Sequence, residues 1–374
     1  MSQQPYSPGL ENVVAGETAI CEVTQTSLRY RGYEIAELAE HASFDEVAHL
    51  LLHGALPTAE ELKDFRRRVQ AAMALPNEVV QVVRSVPRGA PPMDVMRTAV
   101  SMLGHFDPDA QDNSRDAEVR KSERLLGQLA AVLGQWQQHV HNVSPYLVDA
   151  EATHGGNLLG LILGRRPEAL PARVLDGTLI LYAEHDFNAS TFTARVIAST
   201  LSDLHGAVAG AIAALKGPLH GGANEAAMQM FLEIGSVENV EPWFRAALAA
   251  KKKIMGFGHR VYKHGDHRAA ILREWSVRLT KLTGQTKWIA IADKLQELML
   301  KEKNIHPNTD YPAAHAYYQM GIPIPLYTPI FVCSRVTGWC AHIIEQHGAN
   351  RLYRPISVYS GPGARKMTEI EKRA

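Results

Sequence analysis

Ser43-Phe44-Asp45-Glu46-Val47-Ala48-His49-Leu50-Leu51-Leu52-His53-Gly54 reads as one complete helix. Ser43 supplies a capping oxygen, and Asp45 and Glu46 put negative charge in the first turn, where the helix dipole favours it. Val47, Leu50 and Leu51 fall on one 3.6-period face, and Gly54 is a stop. The same grammar recurs at once. Thr58-Ala59-Glu60-Glu61 is a capping-box pattern, with Leu62, Phe65, Val69 and Met73 following at helical spacing. Working outward, helical segments are predicted near 93–104, 119–139, 153–164, 172–184, 190–215, 224–234, 240–253, 267–282, 286–302, 311–320 and 328–347. Alternation suited to a strand is confined to Thr18–Tyr30, which reads as a small hairpin. The polar stretch 104–118 reads as a loop, and the charged tail from Ser360 onward as a surface segment. The fold class is therefore all-α.

The chain has 374 residues, enough for one to three domains. It is 46% hydrophobic and 21% charged, the balance of a globular protein. Lys+Arg and Asp+Glu both number 39, with no basic run, so neither nucleic acid nor an anionic membrane is expected as a partner. Three cysteines, Cys21, Cys333 and Cys340, lack any CxxC spacing. They fit a reducing cytoplasm better than a disulfide framework or a thiolate metal site. No signal peptide or membrane span is legible. Segment 190–215 carries small residues, from Ala194 and Ala198 to Gly206, Gly210 and Ala214, on nearly every face. It suits a central helix pair or a dimer interface equally, since either buries it.

Two glycine-rich turns each hold one histidine: Gly217-Pro218-Leu219-His220-Gly221-Gly222 and Gly256-Phe257-Gly258-His259. Glycine lets substrate approach the backbone, and a histidine there stands at the edge of an element. Around them are Tyr182-Ala183-Glu184-His185 at a helix C-terminus, Asn308-Thr309-Asp310-Tyr311-Pro312 at a helix start, Arg268, and Arg335 in the apolar run Phe331-Val332-Cys333-Ser334-Arg335. A buried arginine needs an anionic partner, from the protein or from a ligand. Pro312 suits the first turn, which places Asp310 where a cap belongs. Several imidazoles, several guanidiniums and one aspartate suit a ligand with two or more carboxylates. They also suit removal of a proton from carbon next to a carbonyl, with neutral imidazoles stabilising the enolate. A metal is not expected: His259, His264 and His267 have no ligand-like spacing, and Arg260, Lys263 and Arg268 would repel a cation.

These segments resemble the citrate synthase family. GPLHGGAN, GFGHRVYK, NTDYP, FVCSR and NRLYRP stand in that family's order and spacing, and the likeness runs from Gly16, through Leu28-Arg29-Tyr30-Arg31-Gly32-Tyr33, to about Gly361. Tyr182–His185, Asn188–Phe192 and Thr337–His342 are most similar to the 2-methylcitrate synthase branch. The resemblance implies a large helical domain, 1–221 and 327–374, with a smaller helical domain, 222–326, inserted in it. It implies condensation of oxaloacetate with acetyl-CoA or propionyl-CoA and hydrolysis of the thioester, with no metal or other cofactor. Asp310 would be the base, His220 would bind the thioester oxygen, and His259 the ketone. His185, Arg268 and Arg335 would hold oxaloacetate, together with Arg354 from the second subunit of a homodimer. Met255, Gly256, Phe257, Gly258 and Lys263 would meet coenzyme A. The family commonly has proline where His267 stands. A dicarboxylate-binding protein without turnover and a histidine-metal hydrolase are the competing classes. Asp310 beside two imidazoles argues against the first, because binding alone needs no base.

Overall fold

The computed structural model describes residues 7–259, 262 and 265–373. Lys263, expected at coenzyme A, and His264, Arg260 and Val261 lie outside the described residues. Among the described residues there are sixteen α-helices and one small sheet. The sheet has three strands rather than two: β1 (Cys21–Val23), β2 (Leu28–Tyr30) and β3 (Tyr33–Glu34), antiparallel in sequence order. The helices are α1 (Ile35–His41), α2 (Phe44–His53), α3 (Ala59–Ala71), α4 (Asn77–Ser85), α5 (Pro92–Leu103), α6 (Arg115–His141), α7 (His154–Leu163), α8 (Ala169–Tyr182), α9 (Ala189–Ala198) and α10 (Leu204–Lys216). After them come α11 (Ala223–Ile234), α12 (Val240–Ala249), α13 (His267–Thr283), α14 (Thr286–Lys303), α15 (Asp310–Gln319) and α16 (Tyr327–Gly348).

Local signals act as read. Ser43 and Thr58 form reciprocal capping boxes with Glu46 and Glu61, and Gly54 closes α2 in the left-handed conformation. The segment 190–215 is not one helix. It breaks after Ala198, Leu201 takes φ 64°, and Asp203 caps a new start by accepting the Gly206 N–H. The small residues serve the resulting pair, since a Cβ at Gly210 would stand 2.2 Å from Ile197. Helix α12 stops at Ala249, before the predicted 253, and the stretch 104–118 gives way to α6 at Arg115. That stretch is tied down by Arg124, which bonds both Asp107 and Asp109.

Helix α16 is buried along nearly its whole length and packs on α6, α8, α9 and α10. Helices α11, α13, α14 and α15 pack on one another, and α13 lies against α8. Gly177 makes that last contact close: a Cβ there would stand 2.2 Å from the Trp275 ring. The contact sets Arg268, in the first turn of α13, beside the C-terminal end of α8.

Candidate active site

The C-terminus of a helix leaves carbonyl oxygens without intrahelical partners. At α8 they are met by side chains from three other elements. Ser334 Oγ donates to Leu179 O (2.5 Å), Arg268 Nη1 to Leu181 O (3.4 Å) and Arg335 Nε to Tyr182 O (2.7 Å). The hydroxyl of Tyr30, a fully buried residue of β2, lies 3.2 Å from Ile180 O and 2.9 Å from Glu184 O. His185 therefore leaves α8 from a turn pinned on every side.

A second, smaller stitch joins the remaining pieces. Phe257 and Pro307 form an antiparallel bridge. Gly258 N–H donates to His306 O, Asn308 N–H to Gly256 O, and Asn308 Nδ2 to Gly258 O, each at 2.9 Å. Gly256 has φ 81°, and a Cβ there would lie 2.8 Å from the Tyr311 ring, so this position needs glycine. The turn with His259 and the turn with Asp310 are thus one unit.

Between the α8 turn and this unit lies a cavity of about 650 Å³. His185, His220, His259, Arg268, Asp310 and Arg335 all line it, and so do Met255, Gly256, Phe257 and Gly258. The His185 and His259 rings meet edge-on with centroids 5.1 Å apart. Arg354 lines no part of it. It is exposed on the tail, and among the described residues it bonds only its neighbour Pro355 O, at 3.4 Å. His267, where the family commonly has proline, is exposed at the start of α13. Among the described residues no group of three or more His, Cys, Asp or Glu is arranged to hold a metal ion.

Asp310 is not a cap. Thr309 occupies that position, without a capping side-chain bond, and Asp310 is the first residue of α15. Its Oδ1 accepts the Tyr182 hydroxyl at 2.7 Å. Burial pushes its carboxyl up to about 6, and the Tyr182 hydrogen bond holds it from rising further. A carboxylate that is deprotonated near neutrality yet poorly solvated is a competent base.

His220 Nε2 lies 2.9 Å from Ser190 Oγ and accepts the Ser190 backbone N–H at 3.3 Å. A backbone amide only donates, so Nε2 is the bare nitrogen and the neutral ring carries its proton on Nδ1. Burial, helped by the Arg335 charge, pushes His220 down to about 4, so it stays neutral at physiological pH. His185 is likewise held well below its ordinary value by burial, then by the Arg268 and His259 charges. Its Nε2 lies 3.2 Å from the Tyr262 hydroxyl.

The two arginines differ. Arg268 spends its fork on Asp266 (Nε to Oδ1 3.0 Å, Nη2 to Oδ2 2.8 Å). Burial opposes its charge, but Asp266 outweighs that and raises its pKa. Asp266 also accepts Thr309 Oγ1 at 2.8 Å, next to Asp310. Arg335 hydrogen-bonds only through Nε: its guanidinium lies 4.7 Å from the centre of the Phe331 ring, and among the described residues its two Nη groups have no hydrogen-bond partner. Asp266, Thr309, Asn308 and Ser190 received no role from sequence, and Tyr182 entered only through the likeness to the 2-methylcitrate synthase branch. Asn188-Ala189-Ser190 is a capping pattern that could have pointed to the last turn before α9.

The family model for citrate synthase, C-terminal domain, matches residues 9–356. Citrate synthase 2 of Bacillus subtilis is 43% identical over 367 residues, covering 98% of this chain and 99% of that protein. A 2-methylcitrate synthase of Shewanella oneidensis is also 43% identical, over 370 residues, covering 98% and 97%. A citrate synthase from Thermoplasma acidophilum, solved as a ternary complex with carboxymethyl coenzyme A and oxaloacetate, superposes with a TM-score of 0.93 at 35% identity, covering 99% of this chain and all of that one. A family model that matches residues 9–356, relatives 43% identical over nearly the whole of both chains and a shared fold place this chain in the citrate synthase family.

Proposed function

We propose that this protein condenses oxaloacetate with a short acyl-CoA and hydrolyses the product thioester to citrate or 2-methylcitrate plus coenzyme A. The observation that carries the reading is the buried Asp310 carboxylate, opening on the same cavity as His220 and His259. Asp310 takes the α-proton of the acyl group while His220 Nδ1–H donates to the thioester oxygen, so negative charge never builds up unsupported on the enolate. The enol carbon attacks the ketone carbon of oxaloacetate, and the ketone oxygen takes a proton from His259. Water then cleaves the thioester and coenzyme A leaves as the thiol. Arg335, with its open fork, receives a substrate carboxylate; His185 and Arg268 complete that wall. Met255, Gly256, Phe257 and Gly258 face coenzyme A, and Lys263, outside the described residues, is assigned to it on the family resemblance alone.

The cleft separates a large domain, 1–221 and 327–374, from a small one, 222–326. The mutual packing of α11, α13, α14 and α15 supports that division. Closure over oxaloacetate shields the thioester from water until the new bond exists. Three free, buried cysteines suit a cytoplasmic location. The likeness of the Tyr182 neighbourhood to the 2-methylcitrate synthase branch favours propionyl-CoA over acetyl-CoA without excluding the latter, since one methylene is worth only about 1–3 kcal/mol. The test is thiol release from each acyl-CoA with and without oxaloacetate. Release that ignores oxaloacetate overturns the reading, and a higher kcat/KM with acetyl-CoA overturns the acyl preference.

The enzyme is a homodimer in which Arg354 serves the neighbouring site. Its exposed place on the tail, away from its own cavity, supports this. Asp310→Asn and Arg354→Ala dimers should both be nearly inactive. Mixed assembly should restore about a quarter of wild-type activity, because half the dimers are mixed and one of their two sites is intact. No recovery with mixed dimers confirmed by mass would place Arg354 elsewhere.

A further inference from the structure

Helix α16 presents Arg335, Gly338 and His342 at i, i+3 and i+7, on one face. Glu184, two residues beyond the end of α8, is set against that face and is fully buried. A Cβ at position 338 would collide with Glu184 Oε2 and with Ala183 O, so glycine leaves the space that the carboxylate fills. His342 Nε2 lies 2.9 Å from Glu184 Oε1. Among the described residues Oε2 has no hydrogen-bond partner. A buried acid so sparsely bonded is costly unless a nearby charge compensates it.

The partners of His342 fix the part Glu184 plays. Arg195 Nη1 lies 2.8 Å from His342 Nδ1, and a guanidinium only donates. Nδ1 is therefore the acceptor, and the neutral ring carries its proton on Nε2, which donates it to Glu184 Oε1. The same Nη1 reaches Glu345 Oε2 at 2.7 Å, and Glu345 Oε1 accepts the Ala19 N–H at 2.8 Å. Arg195 thus has its own acid, as Arg268 has Asp266. The Arg335 fork bonds no acid among the described residues. Burial works against the Arg335 charge, and Glu184 supports that charge more than any other group.

We propose that Glu184 is the positioning residue of the carboxylate site. Held by His342 in the space that Gly338 leaves, it balances the Arg335 guanidinium without bonding it. The fork stays charged, in place and unspent until a substrate carboxylate arrives. This rests on the role of Arg335 proposed above. Arg268 shows the alternative, since Asp266 touches its guanidinium and takes the fork. A negative charge behind the site also opposes the incoming anion, so Glu184 weakens oxaloacetate binding while it stabilises the empty site.

Glu184→Gln keeps the size and the acceptor for His342 and removes the charge. The expected result is oxaloacetate bound about tenfold more tightly in calorimetry, while the substrate-free protein melts a few degrees below the wild type. A side chain that only fills space or anchors the α8 turn would weaken binding, or leave it unchanged, when altered; either result overturns the inference. A second measurement needs no ligand. Glu184→Gln and Arg335→Gln each strand one buried charge, and the double variant strands neither. Its loss of melting temperature should fall well short of the sum of the two single losses. Additive losses overturn the inference. If Glu184→Gln alone does not fold, the double variant should, and a double variant that also fails to fold overturns the inference. Wild-type protein that condenses nothing would instead overturn the proposed function, and the charge cycle would still decide the role of Glu184.

Discussion

Arg268 and Arg335 are both buried, both bond carbonyls of the α8 terminus, and both line the same cavity. Yet Arg268 carries its counter-ion with it, whereas Arg335 presents an open fork. The acid whose charge most supports Arg335 is Glu184, which is fully buried, lies 2.9 Å from His342 through Oε1, and among the described residues leaves Oε2 without a hydrogen-bond partner. Two guanidiniums a few residues' width apart thus do different work. Arg268 ties the α8 turn, through Asp266 and Thr309, to the helix that bears Asp310. Arg335 waits for a carboxylate. Residue type and burial are the same in both, and the neighbouring acid decides which is structural and which is receptive.

The largest effect should come from the end of the Arg268 chain. Asp310→Asn should lower kcat by about a thousandfold or more, since the base is gone while the shape remains. Its stability should move the other way. Burial raises the Asp310 pKa from 3.8 to about 6, so the folded protein holds that proton more tightly than the unfolded chain does. The stabilisation this gives is present below about pH 4 and lost as pH rises through 6, leaving a cost of about 3 kcal/mol at neutral pH. Asp310→Asn should therefore melt above the wild type at pH 8 and show no such gain at pH 4. A lower melting temperature at pH 8 would mean that the carboxylate is paired rather than merely buried.

Arg335→Gln should come next, with kcat/KM for oxaloacetate down by about a hundredfold to a thousandfold. Arg268→Gln separates the two roles. It leaves the Asp266 carboxylate buried and uncompensated, so denaturant titration should show a loss of about 3–5 kcal/mol, well beyond that of Arg335→Gln. Equal stability losses in the two variants would erase the distinction. The smallest effect is the sharpest probe of the shared wall. Tyr182→Phe removes the hydrogen bond that lowers the Asp310 pKa, so the acid limb of the kcat/KM profile should move upward from about 6. An acid limb that stays in place would mean that Tyr182 does not bond the carboxylate in the working enzyme.

Much of the fold was readable along the chain because helix signals are local. Ser43 and Thr58 cap, Gly54 stops, and the apolar period marks each buried face. Reading failed where a signal was weak or where packing decided. Helix α1 has seven residues and α4 nine, too short for the period to stand out. In 190–215 the small residues hid a break, because alanine continues a helix wherever tertiary contacts allow it. Asp310 sat in cap-like surroundings, but Thr309 took the cap and left the carboxylate to Tyr182.

His185, His220, His259, Arg268, Asp310 and Arg335 were all legible as candidates, because glycine-rich turns and charged groups in apolar runs are visible one segment at a time. Their convergence on one cavity, the division of labour between the arginines and the tautomer of His220 depend on partners distant in sequence. Asp266 lies 43 residues from Thr309, and Ser190 lies 30 from His220. Local propensity sets the elements. Which nitrogen keeps a proton and which guanidinium stays free depend on where another element puts a single oxygen, and only chain packing brings those atoms within hydrogen-bond distance.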